Sequence, residues 1–204
     1  MMLESCPANL DARYDDFETL AGLAKRIREV YLKCQNSHIV QIETIVQPLL
    51  EMRYAWEHFS DALLGAGDLS AAELAQARGH LLRCYKDLTE WRSLQLKTYA
   101  RKIKKGLSRE NIESAIPGYY AKVFPLHKKV EKMINEISDM PEEKFSQRIE
   151  LLDQANGHCE TILDAMNEDA LYEIRKKSVS HLLFVILLPV ATAAIGAFIG
   201  WLLR

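Results

Sequence analysis

Glycine and proline are scarce in this chain, 9 and 6 in 204 residues, and no stretch alternates β-branched with polar residues. Few turn signals and no period-two pattern exclude a strand-built fold and leave helix as the reading of every long segment. Cysteine is equally sparse: Cys6, Cys34, Cys84 and Cys159 stand far apart with no C-x-x-C pair, which excludes a zinc ribbon and a dithiol redox motif and suits a reduced, cytosolic domain. No H-E-x-x-H, no Gly-rich phosphate loop and no histidine with a glutamate three positions before it occur. Zinc catalysis, nucleotide hydrolysis and a di-iron bundle are therefore set aside, and neither a metal nor another cofactor is expected. The start, "MMLESCPANLDARYDDF", has neither the basic nor the apolar region of a secretory signal.

Charge is unevenly spread. The whole chain has 26 Lys+Arg against 28 Asp+Glu, but residues 175–204 hold four basic residues and no acid, leaving 22 against 28 and a balance of −6 before them. A mildly acidic domain is a poor general binder of phosphate backbones, so DNA is not an expected partner.

What is abundant is apolar spacing of three and four. Phe17, Leu20, Ala24, Ile27, Tyr31 and Cys34 form a first stripe, and Ile42, Ile45, Leu49, Met52, Trp56, Phe59 and Leu63 a second. The second stripe predicts that Met52, Trp56 and Phe59 face a core, with Arg53 on the flank and His58 toward solvent. A third opens on Ser70 and Glu73, a capping-box pattern, runs through Leu74, Ala77, Leu81, Cys84, Leu88 and Trp91, and stops near Gly106. Lys102, Lys104 and Lys105 in its last turn complement the helix dipole, although the wider cluster Lys97–Lys105 also suits anionic lipid or RNA. After "IPGYY" come Tyr120, Val123, His127, Val130, Ile134 and Ile137. From Pro141 onward the stripe is Phe145, Ile149, Leu152, Asn156, Cys159, Leu163 and Met166. Asn156, a polar residue on an apolar stripe and followed by Gly157, either fixes register or marks a kink.

Leu182 to Leu203 carry no charge, and Thr192 is their one strongly polar residue. About 22 such residues in a helix span roughly 33 Å, enough to cross a bilayer. Arg175, Lys176 and Lys177 precede this run, a basic girdle that keeps the N-terminal domain in the cytoplasm and meets lipid headgroups. Inside it, Gly196 and Gly200 form G-x-x-x-G with Thr192 on the same face, a pattern that lets two membrane helices approach closely. The expected architecture is all-α and up-and-down, about five helices in all: a bundle domain over residues 1–140, an amphipathic juxtamembrane helix over 141–180, the last of the five, packed on it, and a single-pass tail anchor over 181–204.

One short pattern carries chemistry. In "RYAWEHF", Arg53 and His58 make R-x4-H on an all-helical domain, and this resembles the HEPN superfamily, whose active members are metal-independent ribonucleases that cut RNA where two protomers meet. The resemblance covers roughly residues 40–105. It implies that Arg53 stabilises phosphate charge and that His58 moves a proton with the RNA 2′-hydroxyl. Arg78, His80, Arg83, Asp87 and Glu90 on the third helix form a solvated polar face, some of which meets this pair across a groove if the second and third helices are antiparallel neighbours.

Three readings follow. The first is a membrane-tethered interaction or oligomerisation module, an effector or sensor whose partners are the membrane and a second copy or another helical protein. The second is a membrane-anchored HEPN-like endoribonuclease, active or degenerate, with RNA as its substrate. The third is a membrane-disrupting or pore-forming effector, which the nearly apolar span serves poorly.

Overall fold

The computed structural model describes residues 8–37, 46–64, 68–166, 169–174, 176–177 and 189. Among them every regular element is helical: α1 (Ala8–Gln35), α2 (Val46–Leu64), α3 (Asp68–Lys104), the short α4 (Arg109–Ala115), a π-helical turn (Tyr119–Val123) running into α5 (Phe124–Asp139), and a 3₁₀ turn (Glu142–Lys144) running into α6 (Phe145–Ala165). The five long helices are those the apolar spacing predicts. No described helix is long and apolar enough to cross a membrane. The run from Leu182 to Leu203, with Thr192, Gly196 and Gly200, lies outside the described residues apart from Pro189, as does Arg175; Lys176 and Lys177 are exposed.

α3 is the spine, 37 residues and about 55 Å long, and α1, α2, α5 and α6 all pack on it. Cross-helix contacts give the directions. Residue numbers fall on α2 as they rise on α3, from Ala62 with Ser70 to Glu51 with His80, so these two run antiparallel. They rise together on α3 and α6, from Tyr85 with Asp153 to Thr89 with Asn156, and together on α1 and α6, where Arg26 pairs with Asp153 and Lys33 with Glu160. Lys97 pairs with Glu131 and Lys104 lies over the Phe124 ring, which sets α5 against the last third of α3 in the opposite sense. The bundle is therefore up-and-down, with α1, α3 and α6 side by side at its centre and α2 and α5 docked at opposite ends of α3. Lys97 and Lys104 of the basic cluster are engaged within the fold.

The core joins Leu23 and Ile27 of α1, Leu88 and Leu96 of α3, Val130 and Ile137 of α5 and Leu152, Cys159 and Ile162 of α6, so α6 shares one core with the rest. The three described cysteines, Cys34, Cys84 and Cys159, are free and buried there. Burial pushes Cys34 up to about 11 and Cys84 and Cys159 to about 12, which keeps these thiols protonated and inert at neutral pH. At the "IPGYY" break Gly118 takes a left-handed φ of 78°, and the Glu113 carboxylate accepts hydrogen bonds from the Gly118 and Tyr120 amides. The Tyr120 bond foremost, outweighing desolvation, holds Glu113 below the ordinary carboxylate range.

Three expectations are corrected. α2 buries its large stripe only in part: Met52 and Phe59 pack against the core as expected, but Trp56, Leu63 and Leu49 are 67, 61 and 51 % exposed, while Pro48, Glu51, Ala55 and Ala62 face the interior. Small residues let α2 lie close against α3, and the Leu49, Trp56 and Leu63 edge of the stripe is left on the outside. His58 does not point to solvent; it turns toward α3. Ser70 and Glu73 do not form a capping box, because α3 starts two residues earlier at Asp68; Ser70 is buried and its hydroxyl donates to the Ala62 carbonyl at 2.8 Å. α6 ends at Ala165, with Met166 extended (φ −79°, ψ 91°), and helical backbone is described again from residue 169.

Asn156 marks no kink, since α6 passes through it and Gly157 without interruption. Its Nδ2 donates to Thr89 Oγ1 at 2.8 Å and to the Leu152 carbonyl at 3.0 Å, and its Oδ1 accepts from Arg92 Nη1 at 3.4 Å. Arg92, 1 % exposed, lies between α1, α3 and α6. This polar seam, buried among apolar neighbours, specifies one alignment of α3 with α6.

Candidate functional site

The densest cluster of titratable groups lies where α2 crosses the first half of α3. Glu51 and His58 stand seven residues apart on α2, and Glu73 and His80 seven apart on α3. Seven residues is nearly two turns, so each helix presents one glutamate and one histidine on a single face. Because the helices are antiparallel, the pairs cross. His58 Nδ1 is 2.6 Å from Glu73 Oε2, and His80 Nδ1 is 2.8 Å from Glu51 Oε2. The two imidazoles stack with centroids 5.1 Å apart and planes 15° from parallel. Arg83 Nε donates to the same Glu51 oxygen at 3.0 Å, and the Tyr54 ring leans against His80 at 5.4 Å.

Proton positions follow from the partners. Burial alone would push the Glu51 carboxyl up, but the hydrogen bonds from His80 and Arg83 and the Arg83 charge outweigh it and hold the group below its ordinary 4.5. An ionised Glu51 requires a hydrogen on His80 Nδ1, so the 2.8 Å approach of Arg83 Nη2 to that nitrogen is a close contact and not a second hydrogen bond. Each imidazole is thus held through Nδ1 by a carboxylate, the arrangement that orients a histidine for proton transfer through Nε2.

The structure does not join Arg53 to His58. Arg53 is exposed and its Nε donates to Glu57 at 2.8 Å, one turn along the same helix face. The guanidinium near the histidines is that of Arg83. Of the other α3 residues, His80 and Arg83 do face α2, whereas Arg78 pairs with Asp16 and lies over the Phe145 ring, and Glu90 pairs with Lys86. Asp87 is pushed up chiefly by burial. Glu51 and Glu73 were missed in the sequence, although E-x6-H repeated on two successive helices was there to find. No group of three or more His, Cys, Asp or Glu side chains suited to a metal ion occurs among the described residues.

No protein family, curated protein or solved structure matches this chain.

The cluster makes stability depend on pH. Glu51, with a depressed folded pKa, contributes stability that is full above the ordinary carboxylate range and lost as pH falls through the lowered value. His127 and His158 are also depressed, in each case by burial first and then by neighbouring lysines, so their contribution is full above the ordinary 6.5 and lost as pH falls through their folded values. Acid unfolding followed by circular dichroism is therefore expected to lose stability in two stages. Glu51→Gln reduces the lower stage, to which Glu113 also contributes, and leaves the one just below 6.5 in place; an unchanged lower stage would remove Glu51 from this account.

Proposed function

We propose that the chain is a membrane-tethered interaction module: a cytosol-facing helical bundle, held at a bilayer by the run from Leu182 to Leu203, that presents the outer face of α2 to a helical partner. The exposed stripe on α2 carries this reading. Val46, Leu49, Trp56, Leu63 and Leu64 are 63, 51, 67, 61 and 88 % exposed along one 19-residue helix. Scattered apolar residues are normal on a protein surface, but several large ones gathered on one helix are the usual mark of an interface. Elsewhere in the bundle the exposed large apolar residues, Leu32, Leu94, Phe124 and Tyr172, stand singly on their helices.

The stacked histidines favour a second reading, an RNA-cleaving site in which His58 and His80 exchange protons with substrate. Expression of the full chain, Trp56→Glu, His58→Ala and a version ending at Ser180, with growth and RNA integrity followed together, separates the two. The interaction reading predicts intact RNA, a His58→Ala variant that behaves as the parent, and a growth effect lost with Trp56→Glu or with the tail. RNA cleavage abolished by His58→Ala alone would replace it with the enzyme reading.

A further inference from the structure

The geometry points to a second copy of this chain as the partner of α2, with the two α2 helices antiparallel about a twofold axis near Trp56. This inference rests on the interaction reading above and names its occupant. Leu49, Trp56 and Leu63 repeat every seven residues, the spacing that keeps a seam facing one neighbouring helix. Trp56 is also firmly placed: its ring stacks on Phe59 at 5.5 Å, and Phe59 meets Phe17 edge-on at 5.4 Å. An aromatic anchor held in this way loses little freedom when covered.

Charge selects both the partner and the direction. Arg53 and Glu57 flank the seam on the same side, one turn apart and already paired within one helix at 2.8 Å. In an antiparallel pair centred on Trp56, Leu49 meets the partner's Leu63, and Arg53 comes opposite the partner's Glu57. A parallel pair carries the partner's Glu57 to the opposite flank of the seam, out of reach of Arg53. Antiparallel pairing makes the patch self-complementary, as a twofold interface requires. A lipid surface fits less well, because the exposed polar side of α2 carries Glu57 and Asp61 and its one cation is Arg53, whereas helices lying on anionic membranes are rich in Lys and Arg there.

The test uses the full chain, with Cys6→Ser, in detergent micelles. Sedimentation is expected to show a dimer, with Trp56→Glu weakening association at least tenfold. Arg53→Glu alone weakens it several-fold, and Arg53→Glu with Glu57→Arg restores it. Under mild oxidation, a mixture of Leu49→Cys and Leu63→Cys chains cross-links to each other, while each alone does not. Self-cross-linking of Leu49→Cys chains, or an Arg53/Glu57 exchange that fails to restore association, overturns the antiparallel pairing. A dimer that survives Trp56→Glu but is lost with Gly196→Leu assigns association to the tail and overturns it too. If the chain is monomeric and Trp56 fluorescence responds only to lipid, the occupant is the bilayer. If it is monomeric while Trp56→Glu still abolishes the growth effect, the second copy is wrong and the interaction reading stands; loss of both defeats both.

Discussion

Asn156→Leu is expected to cost about 3 kcal/mol of folding stability, although it exchanges a polar side chain for an apolar one of similar size in the core. The reason is Arg92. Its guanidinium is 1 % exposed and donates to Asn156 Oδ1, with Glu160 next nearest at 3.8 Å. Its Nε and Nη2 have no protein hydrogen-bond partner among the described residues. Removing Asn156 takes away the hydrogen-bond acceptor of a buried cation and leaves it only the longer Glu160 contact, and a buried charge stripped of its hydrogen bond is among the costliest defects a core can hold. Arg92→Met alone leaves Asn156 Oδ1 without its donor, at about 1–3 kcal/mol. The double variant Arg92→Met with Asn156→Leu removes both halves and is expected to return to within about 1 kcal/mol of the parent or to exceed it. Denaturant unfolding of the four proteins in mild detergent gives the coupling directly. If the two single changes simply add, the seam is not a unit and the register argument for Asn156 fails.

The second large effect concerns which side of α2 carries stability. Ala55 is 3 % exposed against α3, with Ala62 one repeat further along at the same value. Ala55→Leu forces a larger side chain into this close contact and is expected to cost about 1–3 kcal/mol. Trp56→Ala, measured on chain too dilute to associate, is expected to change stability by no more than about 0.5 kcal/mol, since the ring it removes is mostly in solvent. Reversal of that order would place Trp56 in the core and leave α2 with no face to offer.

These two residues also show where the sequence was legible and where it misled. Stripes on α3, α5 and α6 were read correctly because their large apolar residues are the ones the core uses: Leu81, Leu88, Val130, Ile137 and Leu152 are all buried. The same rule failed on α2. Its most buried face is made of Pro48, Ala55 and Ala62 with Glu51 among them, small or polar residues that weigh little in a hydrophobic pattern, while of the heavy residues Met52 and Phe59 pack at its edge and Leu49, Trp56 and Leu63 are turned outward. Periodicity finds an apolar face but cannot say whether that face is turned toward the chain's own core or toward something else. Ser70 misled for a related reason. A serine with a glutamate three residues on marks a helix start in isolation, but in a tight hairpin the same hydroxyl serves the Ala62 carbonyl on the preceding helix and Glu73 serves His58. Asn156 stood out as a polar residue on an apolar stripe, yet its partner Arg92 did not, because a lone arginine in a helical stretch reads as surface.

The candidate site was half visible. His58 stood out through its spacing from Arg53, and His80 and Arg83 through their place on the next helix. Their assembly depends on the antiparallel register that the close contact of α2 with α3 imposes. The break at Met166 bears on how a tether would act. A continuous helix would pass rotation from the bundle into the bilayer, and α6, ending at Ala165, is not such a helix.

Membrane attachment through the last segment is the claim on which the account most depends. Purified full chain and a version ending at Ser180, each mixed with lipid vesicles, floated on a density gradient and then washed with alkaline carbonate, test it directly. The account predicts that the full chain floats and stays with the vesicles after the wash, while the shortened chain remains at the bottom. Release of both into the soluble fraction would contradict it, and the stripe on α2 would then belong to a protein that meets its partner in solution.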